Sequence, residues 1–162
     1  MEKKHDFTIR IGCAEDVPAA LELIQELAQY EKAPHEVEVT IDSMTRDGFG
    51  TQPLYKMWVA EMHGKVVGIS ICYIRYSTWK GPMLYLEDLV VTENLRGKGI
   101  GKALFLTSVQ YAQEMGFNGM VWQVLDWNTP AIEFYKYFGA QLDPEWINGK
   151  LNRKQIDSLL AQ

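Results

Sequence analysis

Leu89-Val90-Val91 leads, after four intervening residues, into Arg96-Gly97-Lys98-Gly99-Ile100-Gly101, and the reading of this stretch decides the fold. An apolar strand runs into a glycine-rich turn. Beyond it, Ile100, Ala103, Leu104, Thr107, Ser108, Tyr111, Ala112 and Met115 recur at i, i+3, i+4 spacing, which predicts a helix ended by Gly116. A strand–turn–helix of this kind aims backbone N–H groups outward at the positive end of the helix dipole, an arrangement suited to phosphates. Gly97, Gly99 and Gly101 allow unusual backbone angles and close approach, and Arg96 and Lys98 add positive charge. Two common phosphate loops are excluded by their defining residues. A dinucleotide fingerprint starting at Gly97 needs glycine where Lys102 stands, and a Walker-type loop needs Ser or Thr where Ala103 stands.

Working outward, Phe7 to Ile11 alternates as a first strand. Val17, Ala20, Leu21, Ile24, Leu27 and Ala28 form one apolar stripe of a helix that ends near Tyr30, with Pro18 in its first turn. A second helix is expected after Thr40, stopping at Asp47-Gly48. Lys56–Met62 and Lys65–Tyr73 read as a hairpin around His63-Gly64, followed by a loop over Tyr76–Pro82 and a strand over Leu84–Val91. After the glycine turn and its helix come a strand over Met120–Leu125 and a short helix with Thr129 as N-cap and Pro130 at N1, stopping at Gly139. A last strand after Gln141 and a short helix near Gln155–Leu160 complete the reading. The order β-α-α-β-β-β-α-β-α-β indicates a mixed α/β layer fold, and a single domain over residues 1–162 is expected.

The composition agrees with a globular chain: of 162 residues, 47% are hydrophobic and 23% charged. No apolar run reaches the roughly 20 residues of a membrane span, so no membrane partner is expected. The opening Met1-Glu2-Lys3-Lys4-His5-Asp6 passes into domain sequence without an apolar leader, and Cys13 and Cys72 stand far apart. A cytoplasmic location with reduced thiols is therefore expected. A net charge of −5 argues against a nucleic-acid surface and is compatible with a cationic small substrate.

Arg96-x-x-Gly99-x-Gly101 after a strand resembles the signature of the GNAT superfamily of acetyltransferases. Further segments resemble its diamine branch, the spermidine/spermine and thialysine N-acetyltransferases. They are Leu27-Ala28-Gln29-Tyr30-Glu31, Asp47-Gly48-Phe49-Gly50, Tyr76 to Gly81, Tyr85-Leu86-Glu87-Asp88-Leu89 and Asp126 to Lys136. The matches run in order from residue 7 to about 147. The resemblance implies a central, mostly antiparallel twisted sheet flanked by helices, with acyl-coenzyme A at splayed middle strands. It also implies acetyl-coenzyme A as acyl donor, no metal, a small amine acceptor and a homodimer joined through its C-terminal segment.

By the same resemblance, the backbone of Leu89, Val90 and Val91 pairs with the pantetheine arm, and the pyrophosphate falls on Arg96, Gly97, Lys98, Gly99, Ile100, Gly101 and Lys102. Asn128 matches a residue near the pantetheine end, although an asparagine there also suits a helix entry. Tyr135 matches a general acid that also touches the cofactor. A phenol with pKa near 10 is protonated at neutral pH and can donate as charge builds on sulfur. Glu87 matches the carboxylate that helps deprotonate the amine. Simple alternation sets Tyr85, Glu87 and Leu89 on one face and Asp88 on the other, and a bulge, implied by analogy, resets that parity. Asp88 is a candidate substrate contact, or pairs instead with a structural lysine or a helix end. Glu31 matches the residue holding the distal cation of the substrate, and Trp79 an aromatic wall of its channel. Ser77 stands where spermidine-type members carry aspartate, which favours thialysine-like or diamine acceptors over long polyamines. A peptide acceptor, or an acyl-coenzyme A-binding protein without catalysis, is the alternative. No cysteine maps to the site, so direct transfer in a ternary complex is expected.

Overall fold

The computed structural model describes residues 6–160, and residues 1–5, part of the stretch read for a leader, lie outside them. The described chain forms two compact units, one ending at Gln123 and the other beginning at Val124. The first unit is built on a five-stranded sheet in the order β1 (Thr8–Ile11), β2 (Lys56–Met62), β3 (Lys65–Ser77), β4 (Gly81–Val91), β5 (Met120–Val121). Neighbours among β1 to β4 are antiparallel, and β5 runs parallel to β4. The helices of this unit are α1 (Val17–Tyr30), α2 (Ile41–Phe49) and α3 (Ile100–Glu114). The second unit carries α4 (Thr129–Tyr137) and α5 (Arg153–Leu160). The mixed α/β fold expected from the element order is the one observed.

Alternation along the strands sorts the core onto two faces. Val17, Ala20 and Leu23 of α1 and Met44 of α2 pack with Met57, Val59, Ile69, Ile71 and Val90 of the sheet. Each of these side chains larger than alanine contributes about 1.5–3 kcal/mol. The opposite face carries α3, whose Ser108 hydroxyl meets that of Ser70 on β3 at 2.7 Å. A close fit at Gly68 seats this helix: a Cβ there would stand 3.1 Å from Leu104 Cδ1 and 3.0 Å from the Val90 carbonyl oxygen.

Five sequence expectations are corrected. The loop expected over Tyr76–Pro82 shrinks to a turn between Ser77 and Gly81, because the Ser77 hydroxyl accepts the N–H groups of Trp79 (3.3 Å) and Lys80 (3.2 Å). The strand expected over Met120–Leu125 ends at Val121, since β5 pairs with β4 only at Leu84↔Met120 and Tyr85↔Val121. The cap of α4 is Asn128, whose side chain accepts the Ala131 N–H at 3.3 Å; Thr129 and Pro130 follow as its first two helical residues. No strand follows Gln141 among the described residues, and α5 starts at Arg153 rather than near Gln155. The reason is a reciprocal cap, in which Asn152 accepts the Gln155 N–H at 2.9 Å and Gln155 accepts the Asn152 N–H at 2.8 Å.

Candidate active site

The limited pairing between β4 and β5 opens the sheet. Beyond Tyr85, β4 continues to Val91 with β3 on one side only. The Thr92 N–H donates to the Val67 carbonyl at 3.0 Å, so it points toward β3. Alternation then turns the main-chain groups of Leu89 and Val91 toward the splayed edge, while Val90 bonds toward β3 and buries its side chain in the core. Of the three residues named for backbone pairing with a ligand, the geometry thus offers Leu89 and Val91.

The glycine turn follows this edge. Gly97 (φ +78°) and Gly99 (φ +85°) are left-handed, and nothing lies within 4 Å of a Cβ built on either, so conformation and not crowding requires glycine there. Gly101 is different. It lies inside α3, and a Cβ there would make an ordinary 3.6 Å contact with Val91, so unusual backbone angles are not its role. Gly99 is the N-cap of α3 and has no side chain to cap it. The N–H groups of Ile100 and Gly101, in the first turn, have no carbonyl of the helix to bond and lie at the positive end of its dipole. Ile100 is buried and anchors the turn. Arg96 is folded back, its Nε donating to the Val91 carbonyl at 3.1 Å and its guanidinium 5.3 Å from the centre of the Tyr30 ring. Lys98 is exposed.

Two residues upstream of Leu89, β4 contains a bulge. Ile71 pairs with Asp88 and Cys72 with Leu86, leaving Glu87 as the extra residue. This resets the parity. Asp88 now shares the α1 face with Val90, opposite Ile71, while Leu86 pairs with Cys72 on the face of α3. The Tyr73 phenol lies beside the Glu87 carboxylate, and Tyr73 stacks on Tyr85 with ring centres 5.0 Å apart. Burial, with help from the Glu87 charge, pushes the Tyr73 hydroxyl up to about 12. Glu31, at the C-terminal end of α1, completes the group. Burial, then the charges of Glu87 and Glu31, push the Asp88 carboxyl up to about 6. Glu31 is itself raised by burial. Arg75 stands 5.9 Å over the Tyr85 ring, yet among the described residues no cation forms a salt bridge with Glu31, Glu87 or Asp88.

The structure therefore brings Glu31, Glu87 and Asp88 together, beside the open edge of β4. It does not bring Trp79 to them within the chain. Trp79 sits at the tip of the β3–β4 hairpin, 86% exposed. The Ser77↔Gly81 pair beside it lies about 20 Å along the strands from Ile71↔Asp88 at 3.3 Å per residue. Ser77 is spent on the turn itself. Asn128 and Tyr135 belong to the second unit. There Asn128 caps α4, and Tyr135 is a buried residue of that helix with its ring 5.3 Å from that of Phe134. Sequence reading passed over Tyr73, whose link to Glu87 depends on cross-strand register; its one signal was a tyrosine in a strand otherwise rich in aliphatic residues.

Among the described residues no helix is long and apolar enough to cross a membrane. The acetyltransferase (GNAT) family model matches residues 18–140, spanning parts of both units. A thialysine N-epsilon-acetyltransferase of Bos taurus is 40% identical over 129 residues, covering 75% of this chain and 76% of that protein. An L-ornithine N5-acetyltransferase of Arabidopsis thaliana is 32% identical over 128 residues, covering 78% and 52%. Among solved structures, an integron cassette protein of V. cholerae superposes with a TM-score of 0.79 at 22% identity, covering 97% of this chain and 99% of that one. With its glycine turn, its splayed mixed sheet and these relatives, the chain belongs to the GNAT family and is an N-acetyltransferase.

Proposed function

We propose that the chain transfers an acetyl group from acetyl-coenzyme A to a primary amine of a small molecule, and that its two units work as one acetyltransferase domain. The observation that carries this reading is the group Glu31, Glu87 and Asp88: three carboxylates on one side of β4, without a cation among the described residues, beside the open strand edge. An alkyl ammonium ion is the partner such a group lacks. The family's donor fits what the chain presents. The first-turn N–H groups of α3, with the bare glycine cap, suit a pyrophosphate, and the edge groups of Leu89 and Val91 suit an amide-bearing arm. When bound, acetyl-coenzyme A supplies an activated thioester.

The residues of the chain handle protons. An ammonium ion must lose a proton before its nitrogen can attack. Glu87, beside the Tyr73 phenol, accepts that proton directly or through a water, while Asp88 and Glu31 hold the positive end of the acceptor. Tyr135 supplies a phenolic proton to the departing sulfur. The relatives' acceptors, thialysine and ornithine, carry a primary amine at the end of a short chain, and Ser77 adds no charge for a longer polyamine. A homodimer joined through the C-terminal segment is part of the proposal. Its support is the exposure of Trp146, Ile147 and Leu151.

A thiol-release assay with acetyl-coenzyme A tests the reading against thialysine, lysine, ornithine, diamines, polyamines and a lysine peptide. Turnover is expected on the short amines and not on the peptide. Tight cofactor binding with no turnover on any acceptor refutes it. Tyr135→Phe is expected to lower kcat by about 10²–10⁴-fold, and an unchanged kcat removes the residue from the chemistry.

A further inference from the structure

Glu26, in α1, takes no part in the chemistry above, yet it reaches the segment that joins β4 to the glycine turn. Its Oε2 accepts the Thr92 hydroxyl at 3.1 Å, its Oε1 accepts the Glu93 N–H at 2.8 Å, and Arg96 Nη2 stands 3.6 Å from Oε1. Thr92 precedes a short helical turn, Glu93–Leu95, without capping it through its own side chain, so Glu26 supplies the missing acceptor from a distant helix. Tyr30 lies one helical turn further along α1, on the same face as Glu26. Arg96 meets both: its guanidinium is 5.3 Å from the Tyr30 ring centre, within ion-pair reach of Glu26, and its Nε is bonded to the Val91 carbonyl.

A carboxylate close to a phosphate site is unfavourable when its charge is left unbalanced. Here the charge is taken up by two donors and a guanidinium, all on residues just before Gly97. The glycines that follow are free to adopt many conformations, and ordering them on binding costs entropy. Fixing the chain at Thr92, Glu93 and Arg96 removes part of that cost in advance.

We propose that Glu26 is a positioning residue for the phosphate turn, holding the residues before Gly97 so that the N–H groups of α3 face the pyrophosphate before it arrives. The proposal rests on the reading that this turn holds acetyl-coenzyme A. Its test compares two acetyl donors, acetyl-coenzyme A and S-acetylpantetheine, which lacks the pyrophosphate and nucleotide. In Glu26→Ala the KM for acetyl-coenzyme A is expected to rise about tenfold, equivalent to about 1.4 kcal/mol, with kcat within twofold. The kcat/KM for S-acetylpantetheine is expected to stay at the wild-type value. Glu26→Gln keeps an acceptor for the Glu93 N–H and can donate its amide N–H to the Thr92 hydroxyl, without the ion pair, and carries the same comparison, with about a threefold rise, should the alanine variant fail to fold. An equal fall on both donors, or no change on either, overturns the proposal. A wild-type protein that neither binds nor uses acetyl-coenzyme A refutes the parent reading instead, and titration calorimetry with coenzyme A separates the two failures.

Discussion

Asp16 and Asp88 belong to the same unit, and their carboxyls are moved in opposite directions. Asp16 accepts two bonds from the Arg10 guanidinium, at 2.7 and 2.8 Å, and one from the Cys13 N–H at 2.9 Å. The guanidinium holds its carboxyl down at about 2. Arg10 also reaches Glu61 at 2.9 Å, so this cluster ties β1, the turn before α1 and β2 into one balanced group. Asp88 is pushed up to about 6 by burial and by Glu87 and Glu31, with no cation among the described residues bonded to the three. The first arrangement stabilises the fold; the second is a concentration of like charge tolerated within it. In a protein that must hold a cationic acceptor, the unbalanced cluster is where the missing charge belongs.

The largest test removes the proton acceptor from the unbalanced cluster. Glu87→Gln is expected to lower kcat/KM for the amine by about 10²–10³-fold, read by thiol release, with the urea midpoint close to wild type. A rate within threefold of wild type assigns the deprotonation elsewhere. Next, Asp16→Asn leaves Arg10 with Glu61 alone and is expected to cost about 2 kcal/mol in urea unfolding at pH 7. A depressed carboxyl stabilises the fold above its unfolded value, near 3.9, and the contribution disappears as pH falls through about 2. The difference between variant and wild type should therefore shrink between pH 4 and pH 2.

Asp88→Asn is expected to act with the opposite sign. A raised carboxyl costs stability as pH climbs from the unfolded value through about 6 and remains costly above it. The variant should be more stable than wild type by about 1–2 kcal/mol at pH 8 and equal to it at pH 4, while its KM for the amine rises about tenfold. The same ionisation predicts that wild-type kcat/KM rises with pH through about 6, and that this limb is lost in the variant. Equal stability at both pH values shows that Asp88 is paired in solution. The smallest effect belongs to the hairpin tip. Ser77→Ala removes the acceptor of two turn N–H groups and is expected to cost about 0.5–1 kcal/mol, leaving the amine KM unchanged. A changed KM brings Ser77 into the acceptor site.

Local periodicity made most of the elements legible. The α1 stripe from Val17 to Ala28, the hairpin turn at His63-Gly64, and the helix stops at Gly116 and Gly139 all stand as read. Errors gathered where a side chain bonds a neighbouring backbone group, as at Ser77, Asn128 and Asn152, because such bonds outweigh the glycine and proline signals around them. The short β5 was illegible for another reason: Met120 to Leu125 is strand-like throughout, and only divergence from β4 ends the pairing.

By itself the sequence determined the strand–turn–helix around Gly97 and Gly99, its suitability for a phosphate, and the layered α/β class, since each follows from conformational preference and spacing over a few residues. Tertiary structure decided which side chains share a site. The bulge at Glu87 turns Asp88 to the α1 face, register brings Tyr73 to Glu87, and helix packing brings Glu31 toward Asp88 and Glu26 to Thr92. These neighbours are separated by between about ten and seventy residues of chain in every case except the bulge, and a charge or hydrogen bond acts through space at a few ångströms, whatever the distance along the sequence.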